Sequence, residues 1–137
     1  RANPKSIFKE TGQSIFGGFG STAQHSYFQL LHQGTSGFCT DIIYSPSKIS
    51  PLLSAQAQGQ ASLLSSDFKG SSNILEKTNS NSPVNLFHLK KLSLEGLGFL
   101  LATWEHRVFV TASMLQINPF DQHGVAAGKV VVKKFLS

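Results

Sequence analysis

The 137-residue sequence predicts an α/β protein, a parallel sheet flanked by helices, and three observations carry that expectation. Segments with apolar residues at helical spacing alternate with short β-branched runs, the pattern of strands joined through helices in a layered fold. Hydrophobic residues make up 40% of the chain with 12 glycines besides, an ordinary globular composition that excludes disorder throughout. Charge is sparse, at 14% against about 25% in average domains. That excludes a solvated coiled coil and implies that something else covers part of the surface.

The elements follow in order. Residues 1–14 read as irregular or short strand, and Gly17-Gly18-Phe19-Gly20 as a turn. Ser21 or Thr22 is placed to cap a helix that runs to about Gln33 and ends at Gly34, with Tyr27, Phe28, Leu30 and Leu31 on one broad face. Thr40 to Tyr44 is a β-branched run that reads as a buried strand, closed by Pro46 and Pro51. Leu52 to Leu64, LLSAQAQGQASLL, suits a helix. The Ser/Asn-rich stretch 65–83 reads as a long surface loop, of a length uncommon without a function. Val84 to Leu89 is a second strand, with His88 half-buried in it.

Ser93 then caps a long helix reaching about Phe109, with Glu95 in its first turn where the helix dipole favours an acid. Leu94, Leu97, Leu101, Trp104 and Val108 form its apolar stripe. Residues 114–117 read as a third short strand, Asn118-Pro119 as a turn, and Asp121 to about Phe135 as a last helix. Three short strands make a thin sheet, and a parallel sheet needs both faces covered. Further strands are therefore expected in an earlier part of a longer chain, and the absence of an initial Met points the same way. Such a segment should expose apolar patches where the missing strands and a partner would lie.

Lys and Arg number 12 against 7 Asp and Glu, a net charge of +5. Lys129, Lys133 and Lys134 stand with no acid after Asp121. A solvated basic face is the plain reading, and a site for phosphates the sharper one. The aromatic residues are mostly Phe in apolar company rather than interleaved with Lys and Arg, which argues against nucleic acid. The lone Cys39 makes no intrachain disulfide, and no Cys/His cluster has zinc spacing, so no metal is expected and the reading is cytoplasmic. There is no signal-peptide pattern and no apolar run of the ~20 residues that span a bilayer. Leu97 to Met114 is interrupted by Glu105, His106 and Arg107.

Two places can carry chemistry. Gln122 and Lys129 are seven apart, two helical turns, beside a bare stripe of Gly124 and Gly128. An amide and a lysine there suit a phosphorylated ligand. The plain alternative is that the glycines permit helix packing and Lys129 is solvated. His25 and His32 are also seven apart on the first helix, and histidine is suited to moving protons near neutral pH. Against that stands a role in the core or in capping. His106 reads as part of a charged turn of its helix, and His123 as a residue that lines a site.

Three strings resemble motifs of the glucose-6-phosphate isomerase family, in that family's order. Gln24 to Thr35, QHSYFQLLHQGT, resembles Q-H-x-[FY]-x-Q-L-[IL]-H-Q-G-T. Glu105 to Phe109, EHRVF, resembles its Y-E-H-K-I-F helix. Asn118 to Lys129, NPFDQHGVAAGK, resembles its N-x-F-D-Q-x-G-V-E-x-G-K signature.

The resemblance implies a fold of two sugar-isomerase domains, with residues 1–137 the C-terminal portion of the second. It implies interconversion of glucose 6-phosphate and fructose 6-phosphate by ring opening and a cis-enediol, with no metal or cofactor. It implies a glycolytic and gluconeogenic enzyme that is a cytoplasmic homodimer with a shared active site, and neither nucleic acid nor membrane as a partner. By position, His25 matches the ring-opening histidine that reaches into the partner's site, Lys129 the lysine near the ring oxygen, and Gln122 the glutamine that helps hold the phosphate. His32 has no catalytic counterpart.

The departures are specific. Arg1 falls where the family's proton-transferring Glu stands, the string being matched through Asn3 and Lys5. Gly17 to Ser21 replaces G-E-P-G-T, Ala126 replaces the signature's Glu, and Asn81-Ser82-Pro83 stands for N-R-P. The stretch before that last string is shorter than usual, and the family's arginine motif has no match here. A segment lacking both the base Glu and the Arg is expected to be inactive alone. The alternative is a non-catalytic phospho-sugar-binding or regulatory module of the same fold.

Overall fold

The computed structural model describes residues 12–46, 50–66, 77–79 and 81–135. The expectations for residues 1–11, including the string at Arg1 to Lys5, and for 67–76 and 80 of the long loop lie outside the described residues. The chain forms two compact units, one of residues 15–97 and a second that includes residues 98–135. The elements are α1 (Gly20–Ala23), α2 (Phe28–Gln33), β1 (Thr40–Tyr44), α3 (Pro51–Ser65), β2 (Val84–His88), α4 (Leu94–Met114) and α5 (His123–Lys133).

In the first unit β1 and β2 pair in parallel, from Thr40 opposite Val84 to Tyr44 opposite His88. Parallel neighbours cannot be joined by a tight turn, and α3 supplies the crossover and packs on both strands. Pro51 takes the first helical position, where its missing N–H costs nothing. The pair is closed at its ends by Thr40 N–H to the Pro83 carbonyl (2.9 Å) and Leu89 N–H to the Tyr44 carbonyl (2.9 Å). Asn85 Nδ2 also donates to Asp41 Oδ1 at 2.8 Å. His88 is exposed rather than half-buried, its ring stacked on Tyr44 with centroids 5.0 Å apart.

The predicted helix over 21–33 is broken. Residues 24–27 form a turn between α1 and α2, where Tyr27 leaves the helical region (φ −125°, ψ −1°). The Ser26 hydroxyl donates to the Thr22 carbonyl (3.2 Å), and the Tyr27 ring meets Phe16 edge-on (5.1 Å) and stacks on Phe28 (5.7 Å). Side-chain bonding to the backbone and aromatic packing thus compete with a continuous helix. Gly34 does end α2, but in extended conformation (φ −74°, ψ 167°) rather than left-handed. Glycine is required there because a Cβ would run into the Leu30 carbonyl oxygen.

The described residues of the predicted surface loop hold helix ends. Asn79 donates its backbone N–H to the His32 carbonyl and its Nδ2 to the carbonyls of Leu31 and Gly34. Gln33 Nε2 donates to the Lys77 carbonyl (2.9 Å), and Ser82 N–H to the Leu64 carbonyl (3.0 Å). Apart from the bond to Lys77, these bonds satisfy carbonyls at the ends of α2 and α3 that have no helical partners. Asn81 sits in left-handed conformation (φ 61°), which asparagine tolerates better than most residues.

Ser93 caps α4 as expected, its Oγ accepting the Gly96 N–H at 3.2 Å. The helix runs five residues beyond Phe109, to Met114, and the predicted third strand over 114–117 is its terminating turn. Ile117 N–H reaches back to the Ala112 carbonyl (2.9 Å) and Gln116 N–H to Ser113 (3.2 Å), with Gln116 left-handed (φ 55°). This is a Schellman motif with glutamine in the position glycine usually takes. The apolar letters of Met-Leu-Gln-Ile read as a strand because a helix end and a short strand share them.

Burial is scant. Ala23, Leu31, Ala61 and Leu64 are buried in the first unit and Ala112 in the second. The predicted α4 stripe is not a core: Leu94, Leu97, Leu101 and Val108 are all more than half exposed. Ile43 of β1, Leu86 of β2 and Val130, Val131 and Val132 of α5 are exposed as well. Large apolar side chains are thus exposed on both strands, on α4 and on α5.

Candidate functional site

His25 lies in the turn between α1 and α2 and is exposed. Its backbone N–H donates to the Thr22 carbonyl at 3.1 Å. The break after Ala23 removes the shared helical face that the spacing of His25 and His32 predicts. His32 instead faces inward. Its Nε2 bonds Gln60 Oε1 of α3 at 2.8 Å, its ring lies 5.9 Å from that of Phe28, and its buried Nδ1 has no partner among the described residues. His32 ties α2 to α3, the structural part expected of it.

Gln122 and Lys129 belong to the second unit. The approach to α5 is a short polar turn. Asn118 Oδ1 accepts the Phe120 N–H (2.9 Å), and Asn118 Nδ2 donates to Asp121 Oδ2 (2.9 Å). Phe120 leans on Phe109 of α4, with ring centroids 6.3 Å apart. The helix starts two residues later than Asp121, so Gln122 is its N-cap (φ −129°, ψ 43°) rather than a helical residue. Its carbonyl accepts the Ala126 N–H (3.0 Å), and its side chain makes no capping bond. Lys129 projects two turns further along, exposed. A Cβ added at Gly124 or Gly128 would meet nothing within 4 Å, so the glycine stripe is open backbone. His123 Nε2 stands 3.6 Å from Asp121 Oδ2, with the His side chain 90% exposed.

The groups on α5 and at its N-cap are of chemical types suited to an oxygen-rich anion. The Lys129 ammonium offers three donors on a long stem, the Gln122 amide offers donors and an acceptor, and a helix N-terminus favours negative charge. Among the described residues no group of three or more His, Cys, Asp and Glu could hold a metal ion. Among them, too, no helix is long and apolar enough to cross a membrane.

A shallow groove of about 530 Å³ lies elsewhere, on α4, lined by Phe99, Thr103, His106, Arg107 and Val110 among others. His106 Nδ1 donates to the Ala102 carbonyl within it (2.7 Å), and Arg107 lies over the Trp104 ring at 5.7 Å. Sequence reasoning missed the interlock of Asn118 and Asp121. Its signal was legible, since an Asx residue before Pro favours a side-chain-closed turn.

Fold and site together define an α/β protein of the parallel, layered class, with its candidate polar groups on turns and helices outside the sheet. Comparison with known proteins narrows the class. The phosphoglucose isomerase family model matches residues 2–137. The chain is 35% identical over 153 residues to the glucose-6-phosphate isomerase of Shewanella loihica, covering 94% of this chain and 28% of that protein. It is 35% identical to the enzyme of that name from Legionella pneumophila, covering 93% and 26%. A crystal structure of a glucose-6-phosphate isomerase from Chlamydia trachomatis superposes with a TM-score of 0.75 at 30% identity, covering 85% of this chain and 25% of that one. The chain belongs to the phosphoglucose isomerase family, and it spans about a quarter of the length of the relatives it matches.

Proposed function

We propose that the chain is the C-terminal portion of the second sugar-isomerase domain of an enzyme interconverting glucose 6-phosphate and fructose 6-phosphate. The observation that carries this is the family match over residues 2–137, which includes all three motifs. In this reading the Lys129 ammonium donates to the ring oxygen as the cyclic sugar opens, and the His25 imidazole takes the proton of the anomeric hydroxyl. Gln122 holds the phosphate through its amide. The exposure of all three side chains accords with groups that meet a ligand rather than a core. The carboxylate that moves the proton between C2 and C1, and the arginine that steadies the enediolate, have no counterpart here. The 137 residues are accordingly inactive alone. The complete enzyme is a cytoplasmic homodimer in which His25 serves the partner's site, and it requires no metal or cofactor.

Mixed dimers test this. In the complete isomerase, His25→Ala and Lys129→Ala homodimers lose turnover of cyclic sugar phosphate. Dimers with one subunit of each kind regain part of it, because one of their two sites holds both residues. Mixed dimers that form and stay inactive defeat the sharing, and a Lys129→Ala enzyme with normal turnover defeats the ring-opening role. Arg1, at the position of the base Glu, favours a second reading, a binding module without turnover. Such a module binds sugar phosphate in equilibrium dialysis and isomerises none in its complete form.

A further inference from the structure

We propose that Asn118 and Asp121 are positioning residues for Gln122, an inference that rests on the phosphate-holding role proposed for that glutamine. Gln122 is an N-cap, so its backbone is set by the path of the chain into α5 and not by the helix. Packing does little to fix that path: Asn118, Phe120, Asp121 and Gln122 are all exposed, Phe120 at 77%. Hydrogen bonds do fix it. Upstream, Ile117 is tied to Ala112, and downstream Ala126 is tied to Gln122. Between these anchors one side chain spans the gap, with both ends of the Asn118 amide engaged, on the Phe120 N–H and on the Asp121 carboxylate.

The chemistry of the pair is directional. The Phe120 N–H needs an acceptor and the Asp121 carboxylate needs a donor, so only one orientation of the Asn118 amide satisfies both. The bond to the carboxylate is charge-assisted, and so stronger than a bond between neutral groups in the same exposed setting. The carboxylate's other neighbour, His123, is 3.6 Å away and 90% exposed, and such a pair contributes little. The interlock holds residues 118–121 as one closed turn, and Gln122 follows with no intervening residue to absorb a change in direction.

The test is an exchange of donor and acceptor in the complete isomerase. Asn118→Asp keeps the acceptor for Phe120 but sets a second carboxylate against Asp121. It should raise KM for fructose 6-phosphate on the order of tenfold, with kcat changed less than about twofold, as expected for a lost charge-assisted bond. Asn118→Asp combined with Asp121→Asn restores one donor and one acceptor with their places exchanged, and should return KM to within about threefold of the parent. A purely structural turn would instead lower the melting temperature and the active fraction while leaving KM alone. That outcome, or a double variant no better than Asn118→Asp, overturns the proposal. Gln122→Ala separates the two readings. If it raises KM and Asn118→Asp does not, positioning fails alone. If Gln122→Ala leaves KM unchanged, the phosphate role fails and the positioning role falls with it.

Discussion

Leu64→Ala probes the small core on which the first unit depends. Leu64 is 0% exposed and sits in the last turn of α3. The substitution removes three carbons from a site sealed from water, about 2.4 kcal/mol at roughly 0.8 kcal/mol per methylene. A cavity term adds to that. Two of the other three buried residues of this unit, Ala23 and Ala61, have no rotatable side chain to move into the vacated space. If roughly 50 Å³ stays empty, about 1 kcal/mol more is lost at ~24 cal/mol per Å³. The expected total is about 3 to 3.5 kcal/mol, a large share of the roughly 5–15 kcal/mol typical of a domain. Urea titration of the 137-residue chain followed by circular dichroism reads the loss directly. Leu52→Ala, at the second residue of the same helix and 66% exposed, is the control and should change stability by less than about 0.5 kcal/mol. A loss below about 1 kcal/mol at Leu64, or equal losses at the two leucines, would refute the assignment of the core.

The remaining predictions concern helix ends. Ser93→Ala should cost about 1 kcal/mol at neutral pH through the lost cap on Gly96. The Ser93 hydroxyl, with help from the Glu95 N–H, holds the Glu95 carboxyl below its usual value. A depressed carboxyl contributes stability that is present above its unfolded value and lost as pH falls through the folded one, so the gap between parent and Ser93→Ala should narrow in acid. A gap that widens in acid melts would contradict this. Gln116→Gly should stabilise the chain by about 0.5–1 kcal/mol, because it relieves a left-handed glutamine at the end of α4, and thermal melts would show it.

Much of the fold was legible because its signals are local. The β-branched run over 40–44 is β1 to the residue, β2 ends one residue short of Leu89, and α3 extends one residue beyond Leu52 and Leu64 at either end. Proline, glycine and serine marked those boundaries by backbone chemistry that needs no partner. The errors arose where a longer-range term decided. Tyr27 breaks the first helix with the help of rings at Phe16 and Phe28, of which Phe16 lies eleven residues away. Apolar periodicity identified α4 correctly but carried no information on what buries its stripe, and Leu94, Leu97, Leu101 and Val108 stay more than half exposed among the described residues.

The candidate site was legible through motif strings rather than through physics. An exposed histidine in a turn and a lysine on an exposed helix look alike in any protein, and spacing left both open to plain readings. Spacing also misplaced Gln122 and His25, since each lies outside regular helix where a seven-residue interval carries no face. A common cause links these points to the sparse charge. A chain that buries five side chains among its described residues cannot hold exposed groups in place by packing. It holds them by side-chain and backbone hydrogen bonds: Asn79 on the end of α2, Ser93 at the start of α4, and Asn118 with Asp121 at the entry to α5. Geometry near the candidate residues therefore depends on polar side chains of ordinary appearance. That is why a hydrophobic pattern, which found the strands and helices, said so little about the site.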